Sequence, residues 1–246
     1  KEHQSKGAEV MIALDVSNSM LAQDYSPDRL QRAKLAISRL VDKLNGDRIG
    51  LVLFAGTSFV QLPITTDYVS AKMFLGNIST ESVPVQGTAI GDAINTCIKS
   101  FSAQSENSRA IIVITDGENH EDNPVEAAKT AASMGISVYT IGVGSAQGQP
   151  IPMKGGLLKD SQGNIVVTKL DEATLKEVAK AGNGAYVHAG NNEFGLNPVI
   201  DNIRKLNDEE FNSIVFEEYD EQYMYFFAIA LGLLVLQMLV GERKVL

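Results

Sequence analysis

The chain has 246 residues, of which 30 are acidic and 21 are basic, giving a formal net charge of -9. No cluster of basic residues precedes the C-terminal tail, which argues against nucleic acid as a partner. The single cysteine, Cys97, rules out an internal disulfide framework. His3, His120 and His188 are far apart in sequence, so no zinc-ligand spacing is present.

The first element in chain order is an apolar run, Val10–Leu14, which has the length of a strand buried on both faces. The loop Asp15-Val16-Ser17-Asn18-Ser19 follows it directly and carries one carboxylate and two hydroxyls at alternate positions. Hard cations such as Mg²⁺ bind oxygen ligands of this kind. The same residues suit a turn followed by a helix N-cap, so both interpretations of the motif stay open.

The rest of the chain alternates between helices and strands. Ser26 is predicted to cap the first helix, with Pro27 as its first residue, and Asn45-Gly46 to end it. Helices are expected over 27–44, 68–78, 90–101, 124–134, around 175–179 and over 198–206, and strands over 49–54, 58–63, 110–114, 138–143 and 185–188. Pro63 suits an edge strand. This order predicts an α/β fold with a doubly wound, mostly parallel sheet and helices on both faces.

A second acidic loop, Thr115-Asp116-Gly117, follows the strand at 110–114. Because parallel strands end at the same edge of a sheet, the carboxylates of Asp15 and Asp116 are expected to meet there. Thr88 follows Gly87 at the head of a helix and offers a hydroxyl from a third loop. The plainer interpretations are an N-cap for Thr88 and a turn residue for Asp116. We predict a divalent metal site made of Asp15, Ser17, Ser19, Thr88 and Asp116.

These residues resemble the metal-ion-dependent adhesion site (MIDAS) of von Willebrand factor A (VWA) domains, and the resemblance covers roughly residues 8–206. It implies a VWA/Rossmann-like fold that binds Mg²⁺, with Mn²⁺ or Ca²⁺ as alternatives. It also implies an interaction module rather than an enzyme.

The pattern between 144 and 168 departs from the main sheet, and two short strands about a polar turn are predicted there, as a hairpin excursion near 151–168.

Three further segments, 47–56, 82–89 and 157–168, are similar to the bacterial Bat (BatA/BatB, aerotolerance-type) membrane proteins. This resemblance implies an envelope complex serving stress or oxygen tolerance. The implied partners are other Bat-family membrane or periplasmic proteins, sibling VWA proteins and a MoxR-type AAA ATPase system. That family carries further membrane spans upstream of Lys1, so residues 1–7 are interpreted as a linker from such a region.

The C-terminal part is predicted to anchor the chain in a lipid bilayer. Residues 224–240 are uncharged and almost wholly apolar, which is sufficient for a transmembrane helix. An acidic juxtamembrane linker, 207–223, precedes this span, and a tail, 241–246, follows it. Arg243 and Lys244 favour a cytoplasmic tail. We therefore expect the VWA domain to lie in the periplasm, attached to the inner membrane of a bacterium with two membranes.

The chemistry of the predicted site favours binding over catalysis. Glu118 and His120 are the nearby candidates for a base, and a polar rim is their simpler role. An alternative is a Mg²⁺-dependent phosphatase or phosphotransferase with Asp15 as nucleophile, although Ser17 stands where such enzymes commonly place a second carboxylate. A third interpretation is a structural membrane protein whose site is idle.

Overall fold

A computed structural model of the chain describes residues 7–102, 107–119, 121–190 and 194–205. The chain divides into two compact units, Lys1–Asn207 and Asp208–Leu246, and every described residue belongs to the first. None of the helices among these residues is long and apolar enough to cross a membrane. The predicted span at 224–240 and the tail lie outside the described residues, so both stay predictions.

A six-stranded sheet forms the centre of the domain. The strands of the described residues are β1 (Glu9–Asp15), β2 (Arg48–Phe54), β3 (Ser58–Thr65), β4 (Arg109–Thr115), β5 (Ile136–Gly142), β6 (Gln149–Pro150), β7 (Pro152–Met153), β8 (Gly156–Leu157), β9 (Val167–Thr168) and β10 (Asn183–His188). The order of strands in the large sheet is β10-β5-β4-β1-β2-β3. Neighbours in the large sheet are parallel except β2 and β3, which form the predicted hairpin with β3 at one edge. The mostly parallel α/β sheet is therefore confirmed.

Helices cover both faces of this sheet. They are α1 (Arg29–Val41), α2 (Tyr68–Gly76), α3 (Ile90–Ser100), α4 (Pro124–Ser133), α5 (Glu172–Ala181) and α6, over residues 196–205. Along β1, Ile12 and Leu14 belong to a core cluster with α1, α2 and α6, whereas Met11 and Ala13 belong to a second cluster with α3, α4 and α5. Because successive strand residues face opposite sides, a strand buried on both faces is apolar throughout, as predicted for β1.

The start of α1 differs from the prediction. Its N-cap is Asp28, whose carboxylate accepts the N–H of Gln31 at 2.7 Å, and the Ser26–Pro27 peptide bond is cis and precedes the helix. An aspartate caps a helix as well as a serine does, so local preference did not distinguish the two starts. Regular α-helix also ends at Val41, before the predicted Asn45-Gly46 stop.

The excursion at 149–168 contains two short antiparallel ladders, β6 with β9 and β7 with β8. The predicted pair of strands about the polar turn is reduced to a single bridge between Lys159 and Ile165. Asp160 Oδ1 accepts the N–H groups of Gln162 and Asn164 at 2.9 Å each, which stabilises the turn by side-chain bonds. The prediction of two strands about this turn was thus wrong in detail, although the excursion itself is present.

Candidate metal centre

The two predicted carboxylates lie at the point where the strand order reverses. Chain connections run from β1 towards β2 on one side and from β4 towards β5 on the other, and ligands of such sheets bind at this switch point. Asp15 is the last residue of β1, and Asp116 directly follows β4; neither residue is exposed. Thr115 Oγ1 donates a 2.6 Å hydrogen bond to Asp15 Oδ2, which joins the ends of the two strands.

The loop after β1 folds back so that its two predicted hydroxyls lie side by side. Ser17 N–H donates to Asp15 Oδ1 at 2.8 Å, and the hydroxyl oxygens of Ser17 and Ser19 are 2.9 Å apart. A short 3-10 helix, Asn18–Leu21, continues the loop. The alternation of Asp, Ser and Ser therefore places one carboxylate and two hydroxyls in one cluster.

The loop that carries Thr88 contacts the loop after β1 through Gln86. Asn18 N–H donates to Gln86 Oε1 at 3.0 Å, which joins this loop to the one after β1. The N-cap of α3 is Ala89, without a side-chain capping bond, so the N-cap interpretation of Thr88 is wrong. Thr88 is buried, and within the described part of the chain its hydroxyl makes no hydrogen bond. Such a hydroxyl is available to a ligand.

The electrostatics of Asp15 favour a cation at this position. Burial, followed by the charge of Asp116, raises the pKa of Asp15 from its ordinary 3.8 to about 7, although hydrogen bonds from Ser17 and Thr115 partly oppose the shift. Among the described residues, no group of three or more His, Cys, Asp or Glu could hold a metal ion. Hydroxyls would therefore have to complete the ligand set, and this all-oxygen chemistry fits Mg²⁺.

Sequence reasoning missed a buried cation beside Asp116. The Arg29 side chain is fully buried, and its Nη1 donates to Asp116 Oδ2 at 2.9 Å. Its Nε and Nη2 donate to the two carboxylate oxygens of Asp24, each at 2.8 Å. Thr168, at the end of the excursion, lies 2.9 Å from Asp116 Oδ2 through its hydroxyl. Arg29 starts a helix in which Arg and Lys alternate with apolar positions, so its sequence context indicated only a solvated polar face.

The two predicted rim residues have different outcomes. Glu118 Oε1 accepts the N–H of Lys169 at 2.8 Å, and its Oε2 lies 3.0 Å from the Thr168 hydroxyl. Glu118 therefore links the loop after β4 to the end of the excursion. His120 lies outside the described residues, and its role stays a prediction.

The sheet topology and the two acidic loops agree with a family match. The model of the von Willebrand factor type A domain family matches residues 9–193, three quarters of the chain. The chain therefore belongs to the von Willebrand factor type A domain family. This confirms the fold-level resemblance inferred from the Asp15 and Asp116 loops.

The chain is also similar to Bat-type proteins of known structure. BatB from Bacteroides thetaiotaomicron, described as a conserved hypothetical protein, is 52% identical, and the match covers 84% of this chain and 100% of that chain with a TM-score of 0.76. An aerotolerance-related membrane protein from Bacteroides fragilis is also 52% identical, covering 81% and 100% with a TM-score of 0.78. The predicted resemblance to the Bat proteins is thereby confirmed.

More distant relatives extend this comparison. A UPF0353 protein from Nocardia farcinica is 32% identical over 219 residues, which cover 80% of this chain, and the chain spans 62% of that relative's length. Proximal thread matrix protein 1 from the mussel byssus, in a structure with a zinc-occupied MIDAS motif, is 18% identical and has a TM-score of 0.59. That match covers 82% of this chain and 46% of the mussel chain, and it concerns the fold alone.

Proposed function

We propose that this domain binds a divalent cation, Mg²⁺ with Mn²⁺ or Ca²⁺ as alternatives, and uses it to hold an acidic side chain of another protein. The ligands are Asp15, Ser17, Ser19, Thr88 and Asp116. The observation that carries the proposal is Asp15, a fully buried carboxylate beside a second one. Among the described residues it accepts hydrogen bonds only from neutral donors and pairs with no cation. The mussel protein's zinc-occupied motif supports a divalent ion without specifying Mg²⁺.

The ligand chemistry explains why a bound ion would attract an acid. Three of the five ligands are neutral hydroxyls, and a carboxylate that acts through water rather than by direct ligation compensates a divalent ion only in part. Mg²⁺ also keeps several water molecules in protein sites, and one of these can be exchanged for an incoming carboxylate. Hydrolysis would need a buried base or nucleophile at the site. Binding of an acidic side chain through the metal ion needs neither.

Isothermal titration of the 246-residue chain with Mg²⁺ and Mn²⁺ tests the metal site. We expect saturable binding in the wild type and none in Asp15→Ala. Asp201→Ala is the matched control, because it removes an exposed carboxylate on α6. The ion should also raise the melting temperature of the wild type, since a ligand that binds only the folded state stabilises it. Absence of binding by the wild type would end the proposal.

The phosphatase alternative is disfavoured by the residue two positions after Asp15. Such enzymes commonly place a second carboxylate there as general acid, and this chain has Ser17. Release of phosphate from an aryl phosphate with Mg²⁺ distinguishes the two functions. Turnover that Asp15→Asn abolishes would favour the enzyme over the binding module.

The proposal extends to an envelope assembly. By similarity to the Bat proteins, the partners are other Bat-family proteins, sibling VWA proteins and a MoxR-type ATPase system, which acts directly or through another protein. Recovery of a partner from detergent extracts should fall on chelation and in Thr88→Ala, which removes a hydroxyl that has no hydrogen bond of its own among the described residues. Equal recovery in all conditions would mean that assembly does not depend on the metal.

The domain is proposed to lie in the periplasm, anchored by residues 224–240. Gln162 is exposed in the excursion, and Cys97 is fully buried, with burial raising the pKa of its thiol. A Gln162→Cys, Cys97→Ser chain should react with a membrane-impermeant maleimide once the outer membrane is permeabilised. Reaction that requires rupture of the inner membrane would reverse the assignment.

A further inference from the structure

The buried Arg29 side chain contacts two of the three loops that carry the proposed metal ligands, and it also contacts the end of the excursion. Besides Asp116 Oδ2, its Nη1 lies 3.1 Å from Thr168 Oγ1 and 3.5 Å from the carbonyl oxygen of Ser19. A guanidinium has five N–H donors in a planar arrangement and stays charged, so it can serve several acceptors at once. One resident positive charge thus lies directly beside one of the two carboxylates.

The position of Arg29 is fixed from both sides. Asp24 binds it through two parallel bonds of 2.8 Å, the geometry in which a guanidinium and a carboxylate pair most strongly. Asp24 is itself only 7% exposed, and its Oδ2 also accepts the N–H of Ser145 at 2.9 Å. Gly144 has φ +131°, and a Cβ there would lie 2.8 Å from the guanidinium carbon of Arg29. The slot for this arginine therefore depends on the missing side chain at 144.

We propose that Arg29 is a positioning residue that competes electrostatically with the divalent ion for Asp116 and thereby lowers the affinity of the site for metal. The inference rests on the proposed function, because it concerns the same metal centre. Asp116 Oδ2 is committed to Arg29 and Thr168, so this carboxylate offers the metal only part of its charge. A metal ion bound there keeps more positive charge, and it attracts a partner's acidic side chain more strongly.

The charge of Arg29 can be separated from its structural role because its two carboxylate partners lie on opposite sides. Removing the charge in Arg29→Gln should tighten Mn²⁺ binding by roughly tenfold, since a positive charge close to the ion is lost. Asp24→Asn leaves that charge uncompensated and should weaken Mn²⁺ binding by about threefold or more. A network that only supports the loop predicts weaker binding in both variants, because both break the same ion pair.

Matched variants test the role of charge further. Arg29→Lys keeps the charge and should bind Mn²⁺ within about threefold of the wild type, so it should not show the tightening of Arg29→Gln. Thr168→Val removes a neutral donor from the same Asp116 oxygen and should change the affinity less than Arg29→Gln does. Arg32→Gln removes the same charge one turn further along α1 and should bind as the wild type does.

The experiment is titration of the 246-residue variants with Mn²⁺, combined with melting in EDTA. In EDTA, Arg29→Gln should melt at a lower temperature, because Asp24 and Asp116 lose their shared cation. If Arg29→Gln does not fold, the double variant Asp24→Asn, Arg29→Gln replaces it, because it removes both charges of the ion pair. It should bind Mn²⁺ more tightly than the wild type, and unchanged or weaker binding there overturns the inference. Unchanged or weaker binding by a folded Arg29→Gln overturns it as well. A wild type that binds no Mn²⁺ overturns the proposed function and the inference together, whereas a wild type that binds Mn²⁺ isolates the inference.

Discussion

Buried carboxylates at the two ends of the central sheet differ in whether a cation of the protein pairs with them. At the amino end, Glu9 is 1% exposed and pairs with Arg48 at 2.6 Å. Asp47, just before β2, pairs with Arg204 at 2.5 Å and accepts the N–H of Ala8 at 3.0 Å. Each of these acids has a cation from the protein itself.

At the carboxyl end, only one of the two buried carboxylates described there is paired with a cation. Asp116 pairs with Arg29, but among the described residues Asp15 accepts hydrogen bonds only from Ser17 N–H and the Thr115 hydroxyl. A buried carboxylate without a cation holds its proton more firmly, which is why the pKa of Asp15 is raised to about 7, with burial as the main cause and Asp116 as the second. The acid without a cationic partner, rather than the number of acids, therefore marks the end of the sheet where a cation is expected.

The largest expected effect comes from removing the unpaired acid. In EDTA at pH 8, Asp15→Asn should raise the free energy of unfolding by roughly 2–4 kcal/mol, because the folded wild type must ionise a carboxyl whose pKa is raised by burial and by Asp116. Urea unfolding measures this difference. Asp201→Asn, which changes an exposed acid on α6, is the control and should stay near the wild type.

The raised pKa of Asp15 also determines how the free energy of unfolding changes with pH. Folded Asp15 keeps its proton up to about pH 7, whereas the unfolded chain releases it near 3.8, so the folded state binds more protons in between. This residue's contribution to the stability of the metal-free wild type should therefore fall as the pH rises from about 4 to about 7. Asp15→Asn should lose that part of the slope, and a variant with the wild-type slope would contradict the assignment.

A smaller effect is expected at the amino end. Arg204→Met leaves Asp47 buried without its cation and should lower the free energy of unfolding by about 1–2 kcal/mol, less than for a fully buried pair because the Arg204 side chain is 37% exposed. Mn²⁺ binding should not change, since the two ends of the sheet are separate. Adding Asp47→Asn should recover much of the loss in a double-mutant cycle. Weaker Mn²⁺ binding in Arg204→Met would show that the ion pair at the amino end affects the metal site, which contradicts the separation of the two ends.

The smallest effect is expected for Glu118→Gln. Glutamine keeps an acceptor for the N–H of Lys169, so the free energy of unfolding should change by less than about 1 kcal/mol. The lost charge lies at the partly exposed rim and should weaken Mn²⁺ binding by less than about threefold, because solvent screens it. Titration and urea unfolding measure both quantities. A loss as large as that in Asp15→Ala would make Glu118 a ligand rather than a rim residue.

Strands buried on both faces were the most predictable part of the fold. Residues 10–14 and 110–114 lie within β1 and β4, because a strand covered by helices on both sides must be apolar at every position. The start of α1 and the excursion were less predictable. Their boundaries depend on a cap and a turn stabilised by single side chains, Asp28 and Asp160, for which the chain offered equally good local alternatives.

The order of residues along the chain was sufficient to predict which side-chain oxygens lie at the carboxyl edge of the sheet. Asp15, Ser17 and Ser19 follow one buried strand, Asp116 follows its neighbour, and parallel pairing then requires the two loops to meet. The charge balance at that edge, in contrast, depends on how the chain folds. Arg29, Asp24 and Thr168 come from three separate segments, and Arg29 has the same local pattern as the other basic residues of its helix. Burial of a charge depends on what the whole chain places around it, which periodicity along one helix does not specify.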